Sequence, residues 1–308
     1  MEIKTVAVFG VGAVGVIYAS RLAKVLDKEN LIIFSDGERK IRYEKQGLFL
    51  NSERLDFNYS DNSSNPVDLV IIATKNLQLK EIILKLKGFV GKKTIIMSIL
   101  NGLVSEEMIA RVYGEEKVLY SFAMGLNSEH VKNRINCTSE GKIVFGEKNN
   151  KITPRIKELE KLFSLSKINY LVPDDILLEM WKKFALNTAY NTLSAICSAG
   201  YGFFDACNPL STLTDDVLKE VQLVAKKEGI YILDEHLEQI KQTINQLPFN
   251  GKTSMFQDFE AGRKSENSFF TLTMVEKAKK YSIQVPVCET LYRIAETMEF
   301  VKAYNKGK

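Results

Sequence analysis

The chain has 308 residues, of which 45% are hydrophobic and 26% are charged, a composition typical of a globular protein long enough for two domains. Its net charge is only +4, and its basic residues alternate with acidic ones, which argues against nucleic acid as a partner. No apolar run approaches the roughly 20 residues of a membrane helix, and no signal-peptide layout opens the chain. A cytoplasmic location without membrane contact is therefore expected.

The four cysteines and two histidines are widely scattered. The closest cysteines, Cys197 and Cys207, are expected to be reduced, partly buried thiols rather than a disulfide. His130 falls in a polar, loop-like stretch and His236 in a charged helical one, so we expect both at the surface. The sequence therefore predicts neither a metal site nor a histidine as proton donor.

The two halves of the chain show different patterns. Up to about residue 172, β-branched runs alternate with helical segments, and the predicted strands are TVAVFG, NLIIFS, VDLVIIAT, KTIIMSIL, KVLYSFAM, GKIVFG and KINYLV. This alternation predicts an α/β fold with a doubly wound, Rossmann-type parallel sheet. The remaining sequence is almost entirely helical in periodicity. We expect an N-terminal dinucleotide-binding domain at residues 1–172 and a C-terminal all-helical substrate-binding domain at residues 173–308.

A glycine-rich turn lies between the first predicted strand and the first helix. It reads G-x-G-x-x-G, in which the glycines permit a tight turn, close approach of a pyrophosphate and packing of the helix on the strand. The helix N-terminus adds free N–H donors for phosphate. A cofactor-binding role is predicted for the whole turn: Gly10, Val11, Gly12, Ala13, Val14 and Gly15.

The second predicted strand ends in IIFSDGERK. An acid at this point usually accepts hydrogen bonds from the ribose hydroxyls of NAD, and Asp36 occupies about that position. Arg39 and Lys40 follow, and either could meet the 2′-phosphate of NADP. A simply solvated charged loop is the competing interpretation, so the sequence leaves the cofactor open.

The segment WKKFALNTAYN places Lys183, Asn187 and Asn191 at intervals of four. On an α-helix they project from one side, where they are costly to bury without a polar partner. Lys183 could be one more surface base beside Lys182, and the amides could join two helices by hydrogen bonds. A bound substrate is the third possibility.

Lys75 and Asn101 end two predicted strands, at the sheet edge where α/β folds bind ligands. Taken with the glycine turn and the stripe, they make the chain resemble the ketopantoate reductase (2-dehydropantoate 2-reductase) family. The resemblance covers nearly the whole chain and rests on the order of six motifs: GVGAVG, DLVIIATKNLQL, LNGL, WKKFALNTAYN, SMFQDFEAGRKSE and SIQVP.

The resemblance implies catalytic roles for Lys183 and Glu266. Lys183 would be the general acid that protonates the 2-oxo oxygen, and Glu266 would orient it while also lying near the cofactor. Asn187 and Asn191 would hold the substrate oxygens, and Ser254 would bind the substrate carboxylate. Ser254 could instead be simply a helix N-cap, and Glu266 could pair with a neighbouring base, Arg263 or Lys264.

The resemblance also implies the cofactor contacts. Lys75 and Gln78 would flank the adenosine end, and Asn101 would lie near the nicotinamide ribose and the substrate. The family uses NADP, whereas Asp36 stands near the position of its usual 2′-phosphate-binding arginine, which keeps NAD possible. After Glu266, Ser268 and Leu272 replace the family's usual aspartate and glycine, which indicates an altered substrate pocket.

The activity implied by the resemblance is NAD(P)H-dependent reduction of 2-dehydropantoate to pantoate, a step towards coenzyme A. A small 2-oxo acid would bind between the two domains of a monomer or homodimer, and domain closure would assemble the site. Two alternatives stay open. The chain could be a paralogous reductase of another branched 2-oxo acid, or a dinucleotide-binding sensor without catalysis.

Overall fold

The computed structural model describes residues 2–306, and the chain divides into two compact units, Met1–Ile176 and Leu177–Lys308. Unit 1 contains a ten-stranded sheet. Its strands are β1 (Val6–Phe9), β2 (Leu31–Phe34), β3 (Leu48–Leu50), β4 (Glu53–Leu55), β5 (Asn58–Ser60), β6 (Leu69–Ile72), β7 (Ile95–Ser98), β8 (Val118–Val131), β9 (Arg134–Gly146) and β10 (Tyr170–Leu171).

The sheet has the order β4-β3-β9-β8-β7-β6-β1-β2-β5, and β10 pairs with β9. The strands from β7 to β5 in this order are all parallel, with Val6 of β1 opposite Leu31 of β2 and Leu69 of β6. The predicted doubly wound α/β sheet is confirmed. Strands β3, β4 and β5 were not among the predicted strands, because three-residue segments such as ERL and NYS lack a β-branched apolar run.

Helices cover both faces of this sheet. They are α1 (Gly15–Leu22), α2 (Gly37–Gln46), α3 (Leu79–Lys85), α4 (Ser105–Tyr113) and α5 (Pro154–Leu165). Alternate residues of β1 enter two different cores: Val6 and Val8 pack in the core that includes α1 and α5, whereas Ala7 and Phe9 pack in the core that includes α3 and α4. This period of two is what a strand buried on both faces requires.

Unit 2 is helical, as predicted. Its helices are α6 (Ile176–Leu186), α7 (Thr192–Cys197), α8 (Phe203–Ala206), α9 (Asn208–Lys227), α10 (Asp234–Asn245), α11 (Ser254–Glu260), α12 (Thr273–Lys280) and α13 (Pro286–Lys306). Two π-helical segments interrupt the pattern, Asn187–Asn191 between α6 and α7 and Ser268–Leu272 before α12. No helix within residues 2–306 has the length and apolarity needed to cross a bilayer.

Strands β8 and β9 form a hairpin much longer than the sequence indicated. The stretch around His130, expected to be a loop, continues β8 to Val131, because cross-strand hydrogen bonding rather than apolar alternation maintains it. His130 is exposed, as expected, and His236 is half-buried in α10. Cys197 and Cys207 are free thiols, and both are exposed rather than partly buried.

A buried carboxyl group lies at the start of α4. Glu106 is 1% exposed, and burial raises its pKa to about 7. The Ser105 hydroxyl donates to Glu106 Oε2 over 2.9 Å and also lies 2.9 Å from the Ser98 hydroxyl. Loss of hydration outweighs these hydrogen bonds, so the folded chain holds a proton here at a pH where the unfolded chain has released it.

The Glu106→Gln substitution tests this consequence. Because the folded-state pKa is raised from 4.5 to about 7, ionisation should remove on the order of 3 kcal/mol of stability as pH rises between those values, with no further loss above them. The variant lacks this loss, so it should unfold at higher urea concentration than the wild type at about pH 8 and at a similar concentration at about pH 5. An equal difference at both pH values would contradict the assignment.

Candidate active site

The glycine turn has the geometry that a dinucleotide requires. Gly10 has φ +98°, and a Cβ there would lie 2.8 Å from the Ala73 carbonyl oxygen. A Cβ on Gly15 would lie 1.8 Å from the Gly10 oxygen, so neither position accepts a side chain. A Cβ on Gly12 meets no atom within 4 Å. The turn therefore leaves open space beside Gly12, ahead of the α1 N-terminus, which fits a pyrophosphate.

Asp36 lies beyond the end of β2, where the sequence placed it. Its carboxylate does not cap α2 but forms an ion pair with Lys85 Nζ. Lys85 also contacts Glu81 Oε1 at 2.6 Å. The hydrogen bond from Lys85 holds the pKa of Asp36 below its usual value, with a smaller contribution from Arg39. Sequence reasoning missed Lys85, because it lies 49 residues from Asp36.

The other predicted cofactor residues follow β6 and β7. Lys75 and Gln78 are exposed on the turn after β6. The side chain of buried Asn76 donates to the backbone oxygen of Asn101 over 2.8 Å, joining the two loops. Because β7, β6, β1 and β2 are parallel neighbours, unit 1 brings the glycine turn, Asp36, Lys75 and Asn101 to one sheet edge.

The stripe in unit 2 is aligned by a π turn. On a regular α-helix, side chains four residues apart drift steadily around the axis. The π segment Asn187–Asn191 has about one more residue in each hydrogen-bonded turn than an α-helix. Four residues therefore turn slightly less than 360° in the π segment, whereas they turn slightly more than 360° in an α-helix, and the two deviations offset each other. The Asn191 amide donates to Asn187 Oδ1 over 3.2 Å. The structure thus places both amides on one side of this helix.

The Asn187 amide is arranged as a donor. Asn187 and Asn191 are only 5% and 6% exposed. Since Asn187 Oδ1 already accepts from Asn191, the Asn187 Nδ2 group must donate elsewhere. Within the described part of the chain this nitrogen has no hydrogen-bond acceptor. A buried unsatisfied donor is costly, and a ligand carbonyl or carboxylate would satisfy it.

Lys183 differs from its neighbour Lys182. Lys182 forms an ion pair with Glu179 at 2.7 Å, an ordinary contact along one helix. Lys183 is half-buried, and loss of hydration lowers its pKa to about 8, although Glu266 acts to raise that pKa. A lysine that releases its proton near neutral pH is suited to acid–base chemistry. The lowered pKa therefore favours an acid–base role for Lys183.

Ser265 and Asn267, the residues on either side of Glu266, are buried and hydrogen-bonded to helix α13. The Ser265 hydroxyl and backbone N–H both donate to Glu299 Oε1 of α13, the N–H over 3.0 Å. The Asn267 amide donates to Glu296 Oε1 over 3.3 Å. These contacts fix the residues flanking Glu266, whose carboxylate acts electrostatically on Lys183. The hydrogen bonds of Ser265 and Asn267 to α13 were not predicted, because the sequence motif does not show which of its polar side chains contact a distant helix.

The two bases that precede Glu266, Arg263 and Lys264, have different surroundings. Arg263 pairs with Asp258 at 2.7 Å, and Lys264 is exposed. The suggestion that Ser254 caps α11 is wrong, because Thr253 is the N-cap and its hydroxyl accepts from the Phe256 N–H over 3.2 Å. Ser254, the first helical residue, is exposed.

The elements that carry these side chains are neighbours within unit 2. Helix α11 packs against α7 and the first π segment, and the two π segments contact each other. The second π segment contains Ser268 and Leu272, both half-buried, at the two positions that depart from the family pattern. The predicted unit 2 residues, Lys183, Asn187, Asn191, Ser254 and Glu266, therefore lie on adjoining elements.

A glycine-turn sheet followed by a helical unit with a lysine–asparagine stripe fits a dinucleotide-dependent oxidoreductase, and comparison with known proteins gives the family. Residues 6–150 match the family model "Ketopantoate reductase PanE/ApbA". Residues 175–299 match "Ketopantoate reductase PanE/ApbA C terminal". The chain belongs to the ketopantoate reductase family.

Three similar proteins illustrate the range of this family and fold. An uncharacterized oxidoreductase, YkpB of Bacillus subtilis (strain 168), is 28% identical, with 96% of this chain and 99% of the relative covered. A 2-dehydropantoate 2-reductase of Nostoc sp. is 27% identical, with 99% and 98% covered. A D-mandelate dehydrogenase solved with NADH and anilino(oxo)acetate is 19% identical, with 97% and 99% covered and a TM-score of 0.87, a likeness of fold.

Proposed function

We propose that this chain reduces 2-dehydropantoate to pantoate with a nicotinamide dinucleotide, a step in pantothenate and coenzyme A biosynthesis. The observation that carries the proposal is the stripe of Lys183, Asn187 and Asn191, in which a lysine with a pKa of about 8 lies one turn from a buried amide donor without an acceptor among the described residues. A 2-oxo acid has oxygen atoms that can accept a proton from Lys183 and a hydrogen bond from Asn187 Nδ2.

Each side chain has a distinct task in this reaction. The bound cofactor would supply the hydride to the 2-oxo carbon. Lys183 donates a proton to the oxygen of that carbonyl, and Asn187 Nδ2 donates a hydrogen bond to the substrate. The exposed Ser254 hydroxyl binds the carboxylate. Glu266 favours the charged form of Lys183, which keeps the acid loaded although burial disfavours its charge.

A second candidate is the reduction of another 2-oxo acid. The observation that favours it is the second π segment, where Ser268 and Leu272 stand in place of the family's usual aspartate and glycine and adjoin the segment that carries Asn187. The D-mandelate dehydrogenase of similar fold was solved with a ligand that carries a 2-oxo acid group next to a bulky substituent. The substrate panel below separates the two candidates.

The reaction and its acid can be tested together. Oxidation of NADH and of NADPH is followed at 340 nm with 2-dehydropantoate and several branched or aromatic 2-oxo acids. Lys183→Ala should reduce kcat about a hundredfold or more, because general acid catalysis contributes about 10²–10⁴-fold. The matched control is Lys182→Ala, which removes a lysine paired with Glu179 and should stay within about twofold of the wild type. Equal losses in both variants would contradict the assignment.

The pH dependence of kcat provides a separate test. Reduction requires protonated Lys183, so kcat should fall as pH rises through about 8. Glu266 raises this pKa, so Glu266→Gln should move the descending limb to lower pH. Glu260→Gln, in an exposed carboxylate of α11, is the control and should leave the profile in place. A limb that does not move in Glu266→Gln would contradict the proposed coupling.

Cofactor choice is proposed to depend on the pair Asp36–Lys85. The family resemblance implies NADPH, whereas an ionised Asp36 accepts from ribose hydroxyls and repels a 2′-phosphate. Lys85 uses one oxygen of this carboxylate and partly compensates its charge. The ratio of kcat/KM for NADPH to kcat/KM for NADH should therefore depend on how far Lys85 compensates the charge of Asp36.

Substitutions at the pair should move this ratio in opposite directions. Asp36→Asn should raise kcat/KM for NADPH relative to NADH by about tenfold, because a hydrogen bond to a charged group contributes about 1.5–3 kcal/mol. Lys85→Met should lower the same ratio, since the carboxylate then stands uncompensated. Lys80→Met, an exposed lysine of α3, is the control. A ratio unchanged in Asp36→Asn would mean that this residue does not contact the ribose.

A further inference from the structure

The outer part of the β8–β9 hairpin extends beyond β7 and is bordered by β3, which pairs with β9 at Arg134 and Ile135. β8 pairs with β7 only at its beginning, where Val118 and Leu119 lie opposite Ile96 and Met97. From Met124 to Glu140 the two strands form an arm that we call the hairpin arm. Leu126 and Glu140 lie opposite each other in it and share one face of the hairpin.

This face of the hairpin arm is attached to helix α1, which follows the glycine turn. The Arg21 guanidinium binds the Glu140 carboxylate with two hydrogen bonds, Nε to Oε2 at 2.8 Å and Nη2 to Oε1 at 2.6 Å. The Tyr18 hydroxyl donates to the Glu140 backbone oxygen over 3.2 Å. A bidentate arginine–carboxylate pair fixes relative orientation as well as distance, so the arm is fixed against the helix that begins at the turn.

The arm reaches the turn itself through Ser128. The cross-strand register shifts between Asn127 and Ser128, where Thr138 on β9 has no partner, which is a β-bulge. Bulges redirect the side chains beside them. The Ser128 hydroxyl donates to the backbone oxygen of Ala13 over 3.1 Å.

The Ala13 carbonyl needs this outside donor. In a regular helix the Ala13 oxygen would accept a hydrogen bond from the Ile17 N–H. Here the Ile17 N–H donates instead to the backbone oxygen of Val14 over 3.2 Å. The carbonyl oxygen and the N–H of one peptide unit point in opposite directions. Holding the Ala13 oxygen towards the hairpin arm therefore directs the Val14 N–H away from it, at a helix start where N–H groups lack intrahelical acceptors.

We propose that Ser128 is a positioning residue for the cofactor pyrophosphate. By holding the Ala13 oxygen, it sets the orientation of the Val14 N–H that would donate to phosphate. The inference rests on the proposed dinucleotide function and adds to it a residue 115 positions from the turn in sequence. It assigns the bulged hairpin arm a function in cofactor affinity rather than in catalysis.

Calorimetric titration with ADP-ribose, NADH and adenosine tests the proposal on the full-length chain. Ser128→Ala should weaken binding of the first two about fivefold, in line with the loss of one hydrogen bond, and leave adenosine unchanged because it has no phosphate. Ser128→Thr keeps a hydroxyl and should restore affinity. Ser139→Ala removes a hydroxyl that donates to Gly125 O within the same arm and should bind like the wild type.

Steady-state kinetics and the melting temperature distinguish a role of Ser128 in orienting the Val14 N–H from a general loss of stability. In Ser128→Ala the KM for the dinucleotide should rise while kcat stays at the wild-type value and the melting temperature falls no further than in Ser139→Ala, which also loses one hydrogen bond. Undiminished ADP-ribose binding in Ser128→Ala, or an equal loss in Ser139→Ala, would overturn the inference and leave the proposed function intact. A wild type that binds neither ADP-ribose nor NADH would overturn the proposed function, and the inference with it.

Discussion

The cost of removing the Lys183 ammonium from water is the constraint that sets the acidity of the polar stripe in unit 2. Burial lowers its pKa and Glu266 acts in the opposite direction, so the acidity of the lysine is the difference between two opposing effects. Such a balance is sensitive to small displacements of either group. The residues beside Glu266 are buried and hydrogen-bonded to Glu296 and Glu299 of α13, which restricts the backbone that carries this carboxylate.

In unit 1 the glycine turn exposes backbone N–H groups rather than side chains. A pyrophosphate is bound by N–H groups, and these must be oriented without side chains in the way. Glycines provide the space, but glycine also gives the backbone more freedom. The contacts around the turn restrict that freedom: Ala73 and Thr74 crowd Gly10, and α1 is attached to the hairpin arm through Arg21 and Glu140.

The parts of the fold and site that depend on short sequence patterns were predictable. The long apolar strands β1, β2, β6 and β7 were predicted because two-sided burial requires β-branched runs. The glycine turn was predicted because its spacing falls between a strand and a helix, with a second strand about 20 residues further on. Strands β3 to β5 lack such runs. The N-cap at Thr253 rather than Ser254 could not be distinguished, because adjacent hydroxyl residues offer the same chemistry. Lys85 and Ser128 were missed because their partners are distant in sequence, and the π segments because one residue hardly changes the hydrophobic period.

The first π segment also bears on how such a site can change over time. A π turn equals an α-helix with one residue inserted. Deleting a single residue between Asn187 and Asn191 would restore regular helix and leave the later side chains of α7 close to their present direction relative to Lys183, because the π segment absorbs the extra residue within its own turn. The second π segment, at Ser268–Leu272, offers the same step beside it. In this unit a one-residue change of chain length can therefore be absorbed at a π segment while the polar groups on either side keep nearly the same direction.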